Sequence, residues 1–248
     1  MSRFLLAREK SIATIPEEFI TAWCTSNMQA GSDTTAIFLR AIMYFLLKNP
    51  ECHAKLVEEL AGARREGRLS EIVTWKEARE LVYLDAVVKE AGRLHPAVGL
   101  ALERVVPTQG VELCGEKIPG GTVVGINAWV AHRDKTMFGE DADEFRPERW
   151  LVDKEERVAM ERCLLTVSSK FCLSPVSQLR GQGPNSWGLA NGNAQFGSGH
   201  RTCLGKNISY LEIYKAIPTL FSRYKVSYLY FAKHPQGVGR QRWHRPLT

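Results

Sequence analysis

The chain has 248 residues, 24% of them charged and 44% apolar. That is enough to bury a sizeable core as one large domain or two small ones, and it excludes disordered, collagen-like and disulfide-scaffold chains. The net charge of +6 does not indicate a nucleic-acid binder: residues 221–248 hold Arg223, Lys225, Lys233, Arg240, Arg242 and Arg245 and no acid, and the remaining chain balances 27 bases against 27 acids.

In chain order, residues 16–48 read as one long helix. Pro16 suits its first position, and Glu17 and Glu18 suit its positive end. Ile37, Leu39, Ile42, Met43, Phe45 and Leu46 recur at helical spacing, and Asn49-Pro50 stops the run. At ~1.5 Å per residue the helix is about 48 Å long. A second helix is predicted from Pro50 to about Glu66, and a third from Leu81 to Leu94, ending at His95-Pro96. Gly99 to Val130 is rich in Val and Ile, with turns at Val106-Pro107 and Pro119-Gly120-Gly121, and predicts short strands in a small antiparallel sheet. Residues 141–161 read as charged and irregular, with Phe145, Pro147 and Trp150 as packing anchors. Helical periodicity returns over 204–222. No internal repeat is present. The fold class is mainly α with a small antiparallel β-sheet.

The longest uncharged apolar run, Ala41 to Leu47, has seven residues, against the ~18–20 needed to cross a bilayer. Arg3, Arg8, Glu9 and Lys10 break up any signal-like opening, so no membrane anchor is expected within this chain. The six cysteines form no CxxC pair and no zinc spacing, and read as small buried residues of a reducing compartment. Cys203 is the exception.

Cys203 lies in Phe196-Gly197-Ser198-Gly199-His200-Arg201-Thr202-Cys203-Leu204-Gly205. The glycines allow a tight turn. The cysteine sits at the head of a helix, whose N–H groups and dipole favour a thiolate, and Arg201 adds positive charge. A lone cysteine beside a glycine turn would read as a buried structural residue. This combination reads as a site that holds a sulfur anion or aims it at a metal.

The segment resembles the haem-binding loop of the cytochromes P-450, F-x-x-G-x-R-x-C-x-G, with every fixed position filled. Three further motifs agree in order. Ala30-Gly31-Ser32-Asp33-Thr34-Thr35 resembles the family's distal helix, Glu90-x-x-Arg93 its ExxR helix, and Phe145-Arg146-Pro147-Glu148-Arg149-Trp150 its PERF-type segment. The resemblance covers most of residues 1–166 and 196–226 and implies the C-terminal half of the P-450 fold, with Met1 falling just before the distal helix.

By that resemblance Cys203 is the axial thiolate ligand of haem b (iron protoporphyrin IX), and a thiolate pushes electron density onto iron and favours O–O cleavage. Arg201 and Arg104 pair with the propionates, Phe196 shields the sulfur, and Gly197 and Gly205 complete the cofactor cradle. Thr34 holds dioxygen and water where its hydroxyl locally opens the helix, Asp33 relays protons, and Gly31 lets the backbone approach the cofactor. Glu90, Arg93 and Arg149 form a structural triad in which Arg149 completes the network left by the Glu–Arg pair. His95, His132 and His200 read as surface or packing residues rather than ligands.

The implied activity is insertion of one oxygen atom from dioxygen into a small apolar organic substrate. The partner would be an NADPH-dependent flavoprotein reductase, and the place the endoplasmic reticulum membrane of full-length relatives. Around Val98–Leu102 and the distal helix only an apolar ligand is suggested. The alternatives are a truncated gene-model fragment without activity, or a haem-binding or haem-sensing module; the intact Ala30–Thr35 motif counts against the latter. The domain is read as a partial P-450 domain over 1–248, with 167–195 an atypical insert and 227–248 an atypical tail.

The insert has 29 residues, no acid and no sustained periodicity, and structureless loops of that length are uncommon in compact domains. Removing it joins Glu161–Thr166 to Phe196–Gly199 in an ordinary family junction. Val167-Ser168-Ser169 permits a splice donor, Leu189-Ala190-Asn191 a branch site and Gln195 an acceptor, so the segment reads as a retained in-frame intron, with a family-specific insertion as the alternative. Sequencing of the transcript is expected to show a major species lacking these 87 nucleotides. Transcripts keeping all of them at ordinary abundance establish the insertion instead.

Overall fold

The computed structural model describes residues 2–10, 15–113, 115–164, 203–227 and 242–244. Helix α1 (Ser2–Lys10), which periodicity did not reveal, precedes α2 (Glu17–Lys48). Arg8 reaches Glu17 across the join at 3.2 Å. Helix α2 ends where expected, because Asn49 before Pro50 leaves the helical region at φ −121°, ψ 84°. Its N–H still donates to the Phe45 carbonyl.

Helix α3 (Pro50–Arg65) follows, then α4 (Trp75–Ala78) and α5 (Val82–Leu94). The four-residue α4 is too short for a periodic signal. It forms because Thr74 and Glu77 make a reciprocal capping box. Helix α5 has no side-chain cap of its own. Glu59 of α3 supplies one from a distance, accepting from Tyr83 N at 2.7 Å and Leu84 N at 3.0 Å.

The predicted strands form two-stranded antiparallel ribbons. β1 (Ala101–Val105) pairs with β4 (Val123–Asn127), and between them β2 (Val111–Leu113) pairs with β3 (Glu116–Ile118). The strand character stops at Asn127, earlier than expected. The Asn127 Oδ1 accepts from Trp129 N at 2.8 Å and starts the short helix α6 (Ala128–Ala131). Helix α7 (Lys135–Phe138) is capped likewise by Asp134.

Residues 141–161 are not irregular throughout. A 3₁₀ turn spans Pro147–Trp150, and α8 covers Lys154–Cys163. The Asp153 carboxylate accepts from Glu155 N and Glu156 N and so nucleates α8. Helix α9 (Lys206–Arg223) ends near β5 (Lys225–Ser227), which pairs with β6 (Arg242–His244). Part of the tail read as atypical is therefore a strand. No helix among the described residues is long and apolar enough to cross a membrane.

Two buried clusters organise the packing. The larger joins Ile42 and Leu46 of α2, Leu56 and Leu60 of α3, Leu84 and Val87 of α5, and Ile213 and Ile217 of α9. The smaller gathers Ala86, Phe138, Ala142, Trp150 and Met160. Helix α5 contributes to both, with ten of its thirteen residues buried. Phe145 stacks on Phe45 of α2 at 5.0 Å, and Pro147 and Trp150 are buried, as packing anchors should be.

Because Glu59 caps the helix shared by both clusters, Glu59→Ala is expected to cost about 0.5–2 kcal/mol, read from the urea unfolding midpoint. Glu58→Ala, on the exposed side of α3, should stay within about 0.5 kcal/mol of the parent.

Candidate functional site

The Ala30–Thr35 motif lies in the middle of α2. Asp33 is exposed and Thr34 half-buried. The Thr34 hydroxyl donates to the Ala30 carbonyl at 2.7 Å, and Ser32 donates to Met28 O at 2.8 Å. The expected local opening of the helix does not occur, and α2 runs unbroken through this turn. A hydroxyl can share a carbonyl with the ladder without displacing the backbone N–H. A Cβ on Gly31 would meet nothing within 4 Å, so the backbone there is open to close approach.

The next residue, Thr35, is buried, and its hydroxyl lies 3.0 Å from that of buried Ser209 on α9. This contact seats the first turn of α9 against the middle of α2. Cys203 lies six residues before Ser209 and three before the first helical residue. It is a free thiol of intermediate exposure, just ahead of the helix rather than within its first turn. Lys206 N donates to Cys203 O at 3.5 Å. Gly205 is the N-cap, and a Cβ there would stand 3.8 Å from the Cys203 sulfur.

Arg104 sits on β1 opposite Val124, exposed, with its Nη1 donating to Glu103 O at 2.6 Å. Phe196, Gly197, His200 and Arg201 lie outside the described residues, as does the 167–195 segment.

The structure brings Glu90, Arg93 and Arg149 together in the interior. Arg93 Nε donates to Glu90 Oε2 at 2.9 Å and Nη2 to Oε1 at 2.8 Å. The rest of the Arg93 fork goes to backbone: Nη1 to the His132 carbonyl at 2.8 Å and to Ala142 O, Nη2 to Glu144 O at 3.1 Å. All five donors of that guanidinium have acceptors. The Arg93 fork is completed by backbone carbonyls of the 132–144 segment, and Arg149 joins the network at Glu90 rather than at Arg93. Arg149 instead binds the carboxylate side, with Nε 3.3 Å from Glu90 Oε1, and reaches Asp141 Oδ1 at 2.9 Å and the Phe138 carbonyl.

Sequence reasoning missed three members of this network. Trp150 Nε1 donates to Glu90 Oε2 at 2.9 Å, and Arg146 N to Glu90 Oε1 at 3.0 Å. Asp141 takes both Arg146 and Arg149, whose guanidiniums hold its carboxyl well below the usual carboxylate range. Only Trp150 carried any signal, as a Trp whose N–H must find an acceptor when buried.

Residues 1–236 match the model of the family described as Cytochrome P450. A cytochrome P450 monooxygenase of Aspergillus terreus is 49% identical over 230 residues, covering 92% of this chain and 41% of that protein. The cytochrome P450 monooxygenase cicH of Emericella nidulans is 49% identical over 226 residues, covering 91% and 39%. The cytochrome P450 monooxygenase mpaDE of Penicillium roqueforti is 44% identical over 207 residues, covering 83% and 21%. The chain thus spans about two fifths of the first two relatives' length.

His132 is fully buried. Its Nδ1 lies 2.8 Å from the Arg93 carbonyl. A carbonyl only accepts, so Nδ1 carries the hydrogen. Burial pushes the His132 imidazole down to about 4; the hydrogen bond to Arg93 O opposes this, and the Arg93 and Arg133 charges add to it. The unfolded chain, with an ordinary histidine near 6.5, binds the extra proton first. Stability from this group is therefore complete above pH 6.5 and is lost as pH falls towards 4. Replacing His132 by Asn keeps a donor near Nδ1 but removes the titration. Urea midpoints for His132→Asn are expected to fall less steeply than the parent's across that window. Parallel curves would show that His132 does not contribute to the acid sensitivity.

Proposed function

This chain belongs to the cytochrome P450 family, and on that premise we propose that the protein it comes from is a haem-thiolate monooxygenase. The reaction inserts one oxygen atom from dioxygen into a small apolar organic substrate. Electrons come from an NADPH-dependent flavoprotein reductase. On this reading the whole protein belongs at the endoplasmic reticulum membrane.

The residues present suit a haem. Cys203 is a free sulfur ligand with partial access, beside a bare Gly205 and the positive end of an 18-residue helix. Leu204 is 98% and Leu100 77% exposed, apolar surface of the kind a flat apolar macrocycle covers. Cys203 would ligate the iron, with Gly197, Gly205 and Phe196 around the sulfur and Arg201 and Arg104 on the propionates. When bound, haem supplies the iron centre at which dioxygen is activated.

The chain's own part is to aim and to feed protons. Thr34 gives its hydrogen to Ala30 O, which leaves the Thr34 oxygen free to accept a hydrogen bond from water. Asp33, exposed one residue earlier, passes protons from solvent towards that oxygen. The observation that carries the reading is the buried Thr35–Ser209 contact. It ties the Asp33-Thr34 turn to the helix that Cys203 precedes, so the residues that would handle protons and the residue that would ligate the iron are held in one frame.

A second reading is favoured by the share of the relatives' length that is covered, 41% and 39%: this stretch alone holds haem without turnover. One experiment addresses both. A reduced carbon-monoxide difference spectrum of the chain expressed with haem is expected to show the red-shifted Soret band of a thiolate ligand, absent in Cys203→Ala. An unshifted band in the parent overturns Cys203 as ligand. In the full-length protein, Thr34→Ala should keep the band and lose product formation by roughly 10²-fold while oxygen uptake continues. Under the second reading the band forms and the stretch alone gives no product.

A further inference from the structure

We propose that a polar cleft between α4, α5, α8 and α9 binds a phosphate monoester. The cleft has a volume of about 700 Å³, within the range of small-molecule sites. Four bases line it, Arg79, Lys89, Arg157 and Lys206, against two acids, Asp85 and Glu161.

The acids are already engaged. Asp85 Oδ1 accepts from the Tyr214 hydroxyl, and Asp85 Oδ2 lies 2.6 Å from Lys89 Nζ. Glu161 Oε1 lies 2.5 Å from the same ammonium. Lys89 is thereby committed to both carboxylates, with a side chain only 11% exposed. Arg157 stands 4.0 Å from Glu161 Oε1, too far for a hydrogen bond. The formal charge of the lining is +2, and the guanidiniums of Arg79 and Arg157 are not used up by the carboxylates.

Position adds to charge. Arg79 lies over the Trp75 ring at 5.3 Å, a contact that restrains the guanidinium beside the cleft. Helix α9 opens into the cleft at Lys206 and Asn207 and carries no acid in its first turn, so that turn adds no negative charge to the cleft. Bases just after α4, on α8 and at the start of α9 line one volume, so a tetrahedral oxyanion can be met from more than one side. A surplus of two charges matches a dianion rather than a single carboxylate. The cleft is much larger than a phosphate group, and Trp75 and Leu211 on its walls provide apolar contact for the esterified body.

The test is calorimetric titration of the full chain with phenyl phosphate at constant ionic strength. Saturable binding is expected, weakened about tenfold by Arg79→Gln and by Arg157→Gln. Neither side chain is in the core, so both variants should keep the parent's far-UV spectrum. Inorganic phosphate should bind more weakly; equal binding overturns recognition of an ester. The same group can come from a free metabolite or from a phosphatidate headgroup. Co-sedimentation with phosphatidate vesicles, lost in both variants, assigns the lipid; soluble binding without capture assigns the metabolite. Absence of saturation, or equal binding by parent and variants, overturns the proposal. None of these readouts depends on haem.

Discussion

The described part of the molecule is organised around a carboxylate and a guanidinium with no access to water. Glu90 and Arg93 are fully buried on α5. Burying such ions costs several kcal/mol each unless attraction and hydrogen bonds compensate. Compensation here is nearly complete, and it comes from a distance. The Arg93 fork takes carbonyls from His132, Ala142 and Glu144, and Glu90 takes Arg146 N, Arg149 and Trp150. The irregular path from 132 to 150, which has little periodic structure to hold it, is thus fastened to one helix by charge-assisted bonds. Removing a single partner leaves a buried charge exposed to its full desolvation penalty. The arrangement therefore tolerates very few geometries.

That constraint reaches the candidate site through packing. The face of α5 bearing Leu84, Val87 and Ala91 packs in the cluster that holds α2 and α9. With α5 fixed from behind, α2 and α9 have a common floor, and Thr35 meets Ser209 across it. The residues proposed for chemistry, Asp33, Thr34 and Cys203, are not themselves buried in that floor. They stand at its edge, where a ligand can reach them, while the rigidity that positions them comes from groups with no chemical part.

How much of this the sequence disclosed follows from the range of each interaction. Helices α2, α3 and α5 were legible because Pro16, Asn49-Pro50 and His95-Pro96 act within a residue or two. The Glu90–Arg93 pair was legible because three residues make one helical turn. Helix α4 was not, since its four residues rest on a capping box rather than on an apolar stripe. Helix α8 was not, because its apolar residues are sparse, although Asp153 before Glu155 and Glu156 was a start signal that went unused. The acceptors of Arg93 were out of reach altogether: backbone carbonyls carry no residue identity, so nothing in residues 132–144 advertises them. The Thr35–Ser209 contact spans 174 positions, and two small hydroxyl residues give no local sign of being partners.

Two charge networks share α5, and they differ in a way that separates structure from recognition. Around Glu90 and Arg93 every donor of the guanidinium is matched and the group is dry. A site in that condition has nothing left to offer a ligand, and its worth lies in fixing one geometry. One turn earlier on the same helix, Asp85 and Lys89 begin a second network that runs to Glu161 and Arg157. Its carboxylates are filled by Lys89 and Tyr214, yet the bases outnumber the acids around an open volume. Mutual attraction cannot cancel that surplus, and water screens it only in part inside a cleft. An incomplete network facing a cavity stores the binding energy that the complete one has already spent on folding.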